Sequence, residues 1–258
     1  MSELHVMVLT CGDLGYEVAG QLVGVPGVAR VTLVTAPYRQ PRRTFTGKLK
    51  HVWRTQGAAG FWRIAAARFG RPDMAHDESP PLPAGVQHLD VPEFHDAAAL
   101  EQLRALAPDL GVVAGTYILK ESLFGIPRLG SINLHSGKAP EYRGAAPAFW
   151  ELHNGEPEVG ITIHRVTAAL DAGHILRQEC FPLDTAPSED PVEYLDRFRR
   201  EVLRPNGVRL MRAAVADIAA GAVKETPQDM SKARTYRSPD RAAMKELRRR
   251  VAGRRKRR

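Results

Sequence analysis

Asn133 and His135 stand two residues apart in the run Gly130-Ser131-Ile132-Asn133-Leu134-His135. On a strand this spacing sends both side chains out of one face of the sheet, so it pairs an amide with an imidazole. An amide N–H can donate to an oxygen that gains negative charge, and a protonated His135 adds a second, charge-assisted donor. One such donor is worth about 3 kcal/mol of transition-state stabilisation. A loop with Gly137, Pro140, Gly144 and Pro147 follows at once, which places the pair where open parallel sheets bind ligands. Alone, the pair also fits a histidine and an amide that satisfy each other or the backbone.

The elements that must position this pair are legible around it. Residues 4–10 read as a strand, 11–15 as a glycine-containing turn and 16–23 as a helix; 29–35, 85–91 and 109–114 read as further strands, with helical spacing over 96–106. This alternation predicts an α/β fold, a Rossmann-like, mostly parallel sheet with helices on both faces. The first turn lacks the third glycine of a dinucleotide fingerprint and no acidic residue ends the second strand, which excludes a nicotinamide site. The Gly12 turn is still expected to offer backbone N–H groups to a substrate phosphate. Strands follow at 131–135, 160–166 and 174–182, with a helix over 148–153. Asp190-Pro191 with Glu193 opens a helix to about 202, a second helix covers 206–219, and Ser238-Pro239 starts a last basic helix lying along the body.

The 258 residues, 43% hydrophobic and 26% charged, exclude a disordered, collagenous or coiled-coil chain. The expected organisation is one domain over 1–222 and a basic C-terminal extension over 223–258. Cys11 and Cys180 have no metal-ligand spacing and read as reduced, buried thiols, so no metal is expected. The first residues have no basic leader and no run is apolar enough to span a bilayer, which predicts a cytoplasmic protein. The net charge of +8 is unevenly spread. Residues 37–72 hold nine basic residues and no acidic one, and 232–258 hold thirteen against Asp240 and Glu246. These segments are candidates for contact with an anionic membrane surface, RNA or a phosphorylated substrate. The 38–72 insertion interleaves its charges with Phe45, Trp53, Phe61, Trp62 and Phe69 and predicts two short amphipathic helices.

Asn133-x-His135, Arg143-Gly144-Ala145-Ala146-Pro147, Gly160-Ile161-Thr162-Ile163-His164 and Leu170-Asp171-Ala172-Gly173 occur in this order. Together they resemble the folate-dependent formyltransferase family, whose members act on glycinamide ribonucleotide, methionyl-tRNA or amino sugars. The resemblance is strong from about 109 to 178. It implies a formyltransferase catalytic domain over 1–222, 10-formyltetrahydrofolate as co-substrate, and Asn133, His135 and Asp171 at the catalytic positions. Asp171 would pair with His135 or accept a proton through water. The resemblance also implies that Gly115, Tyr117, Ile118 and Leu119 cradle the pterin, with Val166 and Leu170 closing the other side; Tyr117 fits a core aromatic as well.

The loop after the histidine departs from the family, with Lys138-Ala139 where many members carry two leucines. Lys138 and Arg143, with Gly12, are therefore expected on the acceptor side. The implied function is formyl transfer to a primary amine of a small molecule, first an amino sugar on a nucleotide or lipid phosphate. The alternatives are a methionyl-tRNA formyltransferase-like enzyme, a formyltetrahydrofolate hydrolase, or a folate-binding protein without turnover. The chain after 219 is shorter than the barrel-like C-terminal domain of the tRNA enzymes, which weighs against a tRNA acceptor.

Overall fold

The run Leu4–Thr10 has none of the alternation of a half-exposed strand, and in the fold it is buried throughout. Val6 and Val8 enter one core, Met7 and Leu9 a second on the other face of the sheet. The computed structural model describes residues 3–38 and 80–257, so the expected helices of the 38–72 insertion lie outside the described residues.

In chain order, β1 (Leu4–Thr10), α1 (Leu14–Leu22) and β2 (Val28–Thr35) precede β3 (Val86–Asp90), α2 (Ala97–Ala105) and β4 (Leu110–Val113). Then come α3 (Glu121–Phe124), β5 (Ser131–His135), β6 (Arg143–Gly144), α4 (Phe149–Asn154), β7 (Glu158–Arg165) and β8 (Ile175–Pro182). The remainder is α5 (Pro191–Phe198), a π-helical turn (Arg199–Leu203), α6 (Arg204–Ala219), β9 (Thr235–Tyr236) and α7 (Arg241–Arg255). The main sheet has the order β3-β2-β1-β4-β5-β7-β8. The first five strands are parallel, and β7 and β8 join antiparallel. Helices α1, α4, α5, α6 and α7 contribute to the first core, α2 and α3 to the second. The expected α/β sheet with helices on both faces is the one observed.

Local chemistry explains most boundaries and two differences. The Asp190 carboxylate accepts the Val192 N–H at 2.9 Å and caps α5 as expected. The last helix is capped by Asp240, which accepts from Ala243 N at 2.9 Å, and not by Ser238. Its end is docked: Val251 is buried, and the Arg254 guanidinium donates to the carbonyls of Leu152, His153 and Thr185. Arg248 pairs with Asp190, and Arg249 and Arg250 with Glu246, so much of the tail's charge is engaged within the chain. Cys180 is exposed because β8 is the edge strand. Among the described residues no helix is long and apolar enough to cross a membrane.

The segment after α6 returns to the centre of the molecule. Thr226 bridges Ile175, and β9 pairs in parallel with β6, Arg143 against Thr235 and Gly144 against Tyr236. The Arg-Gly loop is thereby held between the main sheet and the C-terminal segment.

Candidate active site

Antiparallel pairing of β5 with β7 sets Asn133 opposite His164 and His135 opposite Thr162. The loop after β7 then brings Asp171 back to both histidines. Its Oδ2 lies 3.6 Å from His135 Nδ1 and accepts the Gly144 N–H at 2.9 Å, and its Oδ1 lies 3.5 Å from His164 Nε2. Asp171 has φ of 47°, a left-handed conformation that Asp tolerates better than most residues. A Cβ at Gly173 would stand 2.0 Å from the Arg165 carbonyl oxygen, so this return of the chain requires glycine. Gln228 ties the turn down, donating to the carbonyls of Asp171 and Gly173 at 3.0 and 2.7 Å.

The hydrogen-bond partners fix one histidine tautomer and divide the other's contacts. Tyr142 offers a carbonyl oxygen 2.6 Å from His135 Nε2, so that nitrogen carries the hydrogen and Nδ1 faces Asp171. His164 Nδ1 donates to the Arg165 carbonyl at 2.8 Å. Its Nε2 stands 3.2 Å from Asn133 Nδ2: unprotonated it accepts from the amide, protonated it donates to Asp171. Asn133 keeps a second N–H for a ligand.

Burial is the largest influence on both His135 and Asp171, with opposite outcomes. Burial pushes the His135 pKa down, and the Asp171 charge and the Tyr142 carbonyl restore only part of it. The expected protonated His135 donor is corrected to a neutral imidazole with Nδ1 as acceptor. Burial alone would raise the Asp171 pKa, but the two histidines and the Gly144 N–H outweigh it and hold the carboxyl at about 2.

Beside His135 opens a recess of about 10 Å³, room for one water-sized group. Tyr142, Arg143, Trp150, Glu151 and Tyr236 line it with His135. Tyr236 stacks on Tyr142 at 5.1 Å and on Trp150 at 5.3 Å between ring centroids. The loop is sterically tight: Ala146 and Ala148 have φ of 67° and 63°, and a Cβ on Gly137 would meet the Tyr142 oxygen at 2.3 Å and His135 Nε2 at 2.5 Å. A larger cleft of about 430 Å³ is lined by Leu14, Leu134, Ser136, Arg199, Arg200 and Arg204 among others.

Asn133, His135 and Asp171 are thus brought together. Arg143 is beside them, donating to the Leu170 carbonyl and Thr235 Oγ1 while its buried Nε has no partner among the described residues. Ile118 is 75% exposed and Leu170 41%, so both side chains are open to a ligand. Gly115 has φ of 73° and accepts the Cys11 N–H. Leu119 and Val166 pack on the second core, and so does Tyr117, whose hydroxyl accepts the Phe94 N–H at 2.9 Å. Tyr117 therefore serves packing.

Two acceptor-side expectations are corrected. Lys138 turns to Glu158 at 2.8 Å and does not line the recess, since the loop carries its side chain back to the start of β7. The Gly12 N–H is taken by Thr10 Oγ1 at 3.2 Å, and Asp13 and Glu17 put negative charge at the helix start, where Arg204 pairs with both. A phosphate would meet repulsion there.

Sequence reading missed His164, Gln228, Tyr236 and Glu151. His164 had a signal, since it closes a quoted strand motif; the others depend on contacts distant in sequence.

The sequence profile of the family described as "Formyl transferase" matches residues 53–202, more than half of the chain. The chain belongs to the formyl transferase family. It is 38% identical over 146 residues to a methionyl-tRNA formyltransferase of Parabacteroides distasonis, covering 56% of this chain and 43% of that protein. The chain spans half or less of the length of the curated relatives it matches. Among solved structures, glycinamide ribonucleotide transformylase 1 from Symbiobacterium toebii superposes with a TM-score of 0.56 at 21% identity, covering 88% of this chain and 94% of that one. A sugar N-formyltransferase from Shewanella sp FDAARGOS_354 gives 0.58 at 14% identity, covering 96% and 87%. At these identities the structural likeness concerns the fold of this formyl transferase family member.

Proposed function

We propose that this formyl transferase moves the formyl group of 10-formyltetrahydrofolate to a primary amine. The observation that carries the reading is the cluster of Asn133, His135, His164 and Asp171 at the mouth of the sheet. The nitrogen–carbon bond to the acceptor forms as the bond from carbon to the folate nitrogen breaks, and the amine's proton ends on that folate nitrogen. The remaining N–H of Asn133 stabilises the oxygen that gains charge, worth about 3 kcal/mol for one well-placed donor. His135, neutral with Nδ1 as acceptor, takes the amine's proton, and the ionised Asp171 at 3.6 Å stabilises the imidazolium. The exposed Ile118 and Leu170 offer apolar cover for a pterin. The rate is expected to fall on the acid side, below the ordinary imidazole range, as His135 is protonated in the free protein.

The acceptor first in line is an amino sugar on a phosphorylated carrier, supported by the Arg200 side chain of the larger cleft, 68% exposed, where Arg199 and Arg204 are already paired with Asp196 and with Asp13 and Glu17. A second reading, methionyl-tRNA as acceptor, is favoured by the 38% identity to the Parabacteroides enzyme of that name. Release of tetrahydrofolate is to be measured with a dTDP-linked amino sugar, glycinamide ribonucleotide and charged methionyl-tRNA. Amine-dependent release with one of them supports the transfer and names the acceptor. Equal release without any amine would replace transfer by hydrolysis.

A further inference from the structure

Glu151 is a carboxylate of the recess that formyl transfer by Asn133, His135 and Asp171 leaves unused. It is only 2% exposed, it lines the same recess as His135, and its Oε1 is buried without a hydrogen-bond partner among the described residues. A buried carboxylate oxygen left bare costs free energy, so its place calls for a further partner. The charged groups that face it do not supply one. Glu156 repels it, and Arg199 attracts it without donating to Oε1, its Nε and Nη1 donating instead to the Pro147 carbonyl and Asp196. Of the other polar lining groups, His135 donates to the Tyr142 carbonyl and the Tyr142 hydroxyl to Glu156, while Arg143 donates to Leu170 and Thr235 and keeps its Nε–H without a partner among the described residues, Oε1 included. Tyr142, Trp150 and Tyr236 wall the recess with stacked rings, whose faces attract cations. The volume of about 10 Å³ admits a group the size of water, which is also the size of an amine head.

We propose that Glu151 receives the acceptor's amine: the ammonium group enters the recess, donates to Oε1 and passes one proton to the carboxylate. This leaves a neutral amine and a neutral carboxyl, and the nitrogen's freed lone pair is what attack on a formyl carbon requires. The proposal rests on the formyl-transfer reading for the attack but not for the binding. Burial, with the Glu156 charge added, pushes the Glu151 carboxyl up to about 7, which suits a group that takes up a proton near neutral pH.

Methylammonium chloride is the probe, against matched sodium chloride, in thermal melts of the full chain and of Glu151→Gln at about pH 8, above the Glu151 titration. Gln keeps the size of the side chain, and equal binding of 5-formyltetrahydrofolate by the two proteins checks that the fold is retained. The expected result is a rise in Tm with methylammonium for the unsubstituted chain and none for the variant. Equal shifts, or no shift in either, overturn the proposal. In turnover, Glu151→Gln is expected to raise the acceptor KM about tenfold or more with the donor KM unchanged, as for loss of a charged hydrogen bond; an unchanged acceptor KM also overturns it. A Glu151-dependent shift without turnover of any amine would leave the ammonium site standing and remove the formyl-transfer reading.

Discussion

Asp171 and Glu151 are both buried carboxyl groups, one paired with His135 and the other lining the recess that His135 borders, yet one is held at about 2 and the other pushed up to about 7. The difference lies in what surrounds each. Asp171 is met by the Gly144 N–H and two histidines, while Glu151 has its own backbone N–H, the Arg199 charge opposed by that of Glu156, and an Oε1 with no donor among the described residues. Burial favours the neutral form of both; donors decide whether it wins. One group stays ionised to stabilise charge on a neighbour, and the other is poised to gain and lose a proton.

Removing His135, which pairs with Asp171 and shares a recess with Glu151, is the most severe way to break the contrast. His135→Ala is expected to lower turnover by at least about a hundredfold through loss of the proton acceptor, read from steady-state kinetics with saturating donor. Asp171→Asn comes next: turnover should fall about tenfold or more because an amide cannot stabilise the imidazolium, while binding of 5-formyltetrahydrofolate survives. Its stability signature is separate. Because the folded pKa lies below the usual 3.8, the contribution of Asp171 is present above 3.8 and is lost as pH falls through about 2. The variant's acid unfolding should therefore be shallower in that window.

Glu151→Gln should behave in the opposite sense. The unfolded chain releases this proton near 4.5 but the fold holds it to about 7, so stability falls as pH rises between those values and stays low above. The cost at pH 8 is about 3 kcal/mol, and the variant, lacking it, should melt higher there than the unsubstituted chain. Equal melting across the range would show that Glu151 titrates normally. The smallest effect is expected from Arg254→Ala, which removes donors from the Leu152 and His153 carbonyls at the end of α4. Stability should drop by about 1–2 kcal/mol, with a modest rise in acceptor KM and none in donor KM, since α4 carries Glu151 and not Asp171.

The two sides of the site also differ in how far the sequence discloses them. Asn133 and His135 share one strand, where a period of two settles their common face, and Asp171 sits in a turn whose Gly173 the packing demands. The parallel sheet and most of its helices follow from local patterning of the same kind. Glu151 looks like any surface glutamate on a short helix; its surroundings are set far along the chain, by α7 packed on α4 and by Tyr236 of β9 in the same recess. Lys138 shows the converse: its charge suggested a ligand, but Glu158 of the neighbouring strand takes it up. Protonation of His135 was also beyond local reading, because it depends on how deeply the tertiary structure buries the ring.

The measurement that bears most directly on the whole account follows the formyl carbon. With 10-formyltetrahydrofolate labelled by ¹³C in the formyl group, the protein and the amine panel, the account predicts that the label appears as an N-formyl amide on one acceptor, at a rate that His135→Ala abolishes. Label recovered as free formate at a rate indifferent to amine, or remaining on the folate with every acceptor, would contradict it.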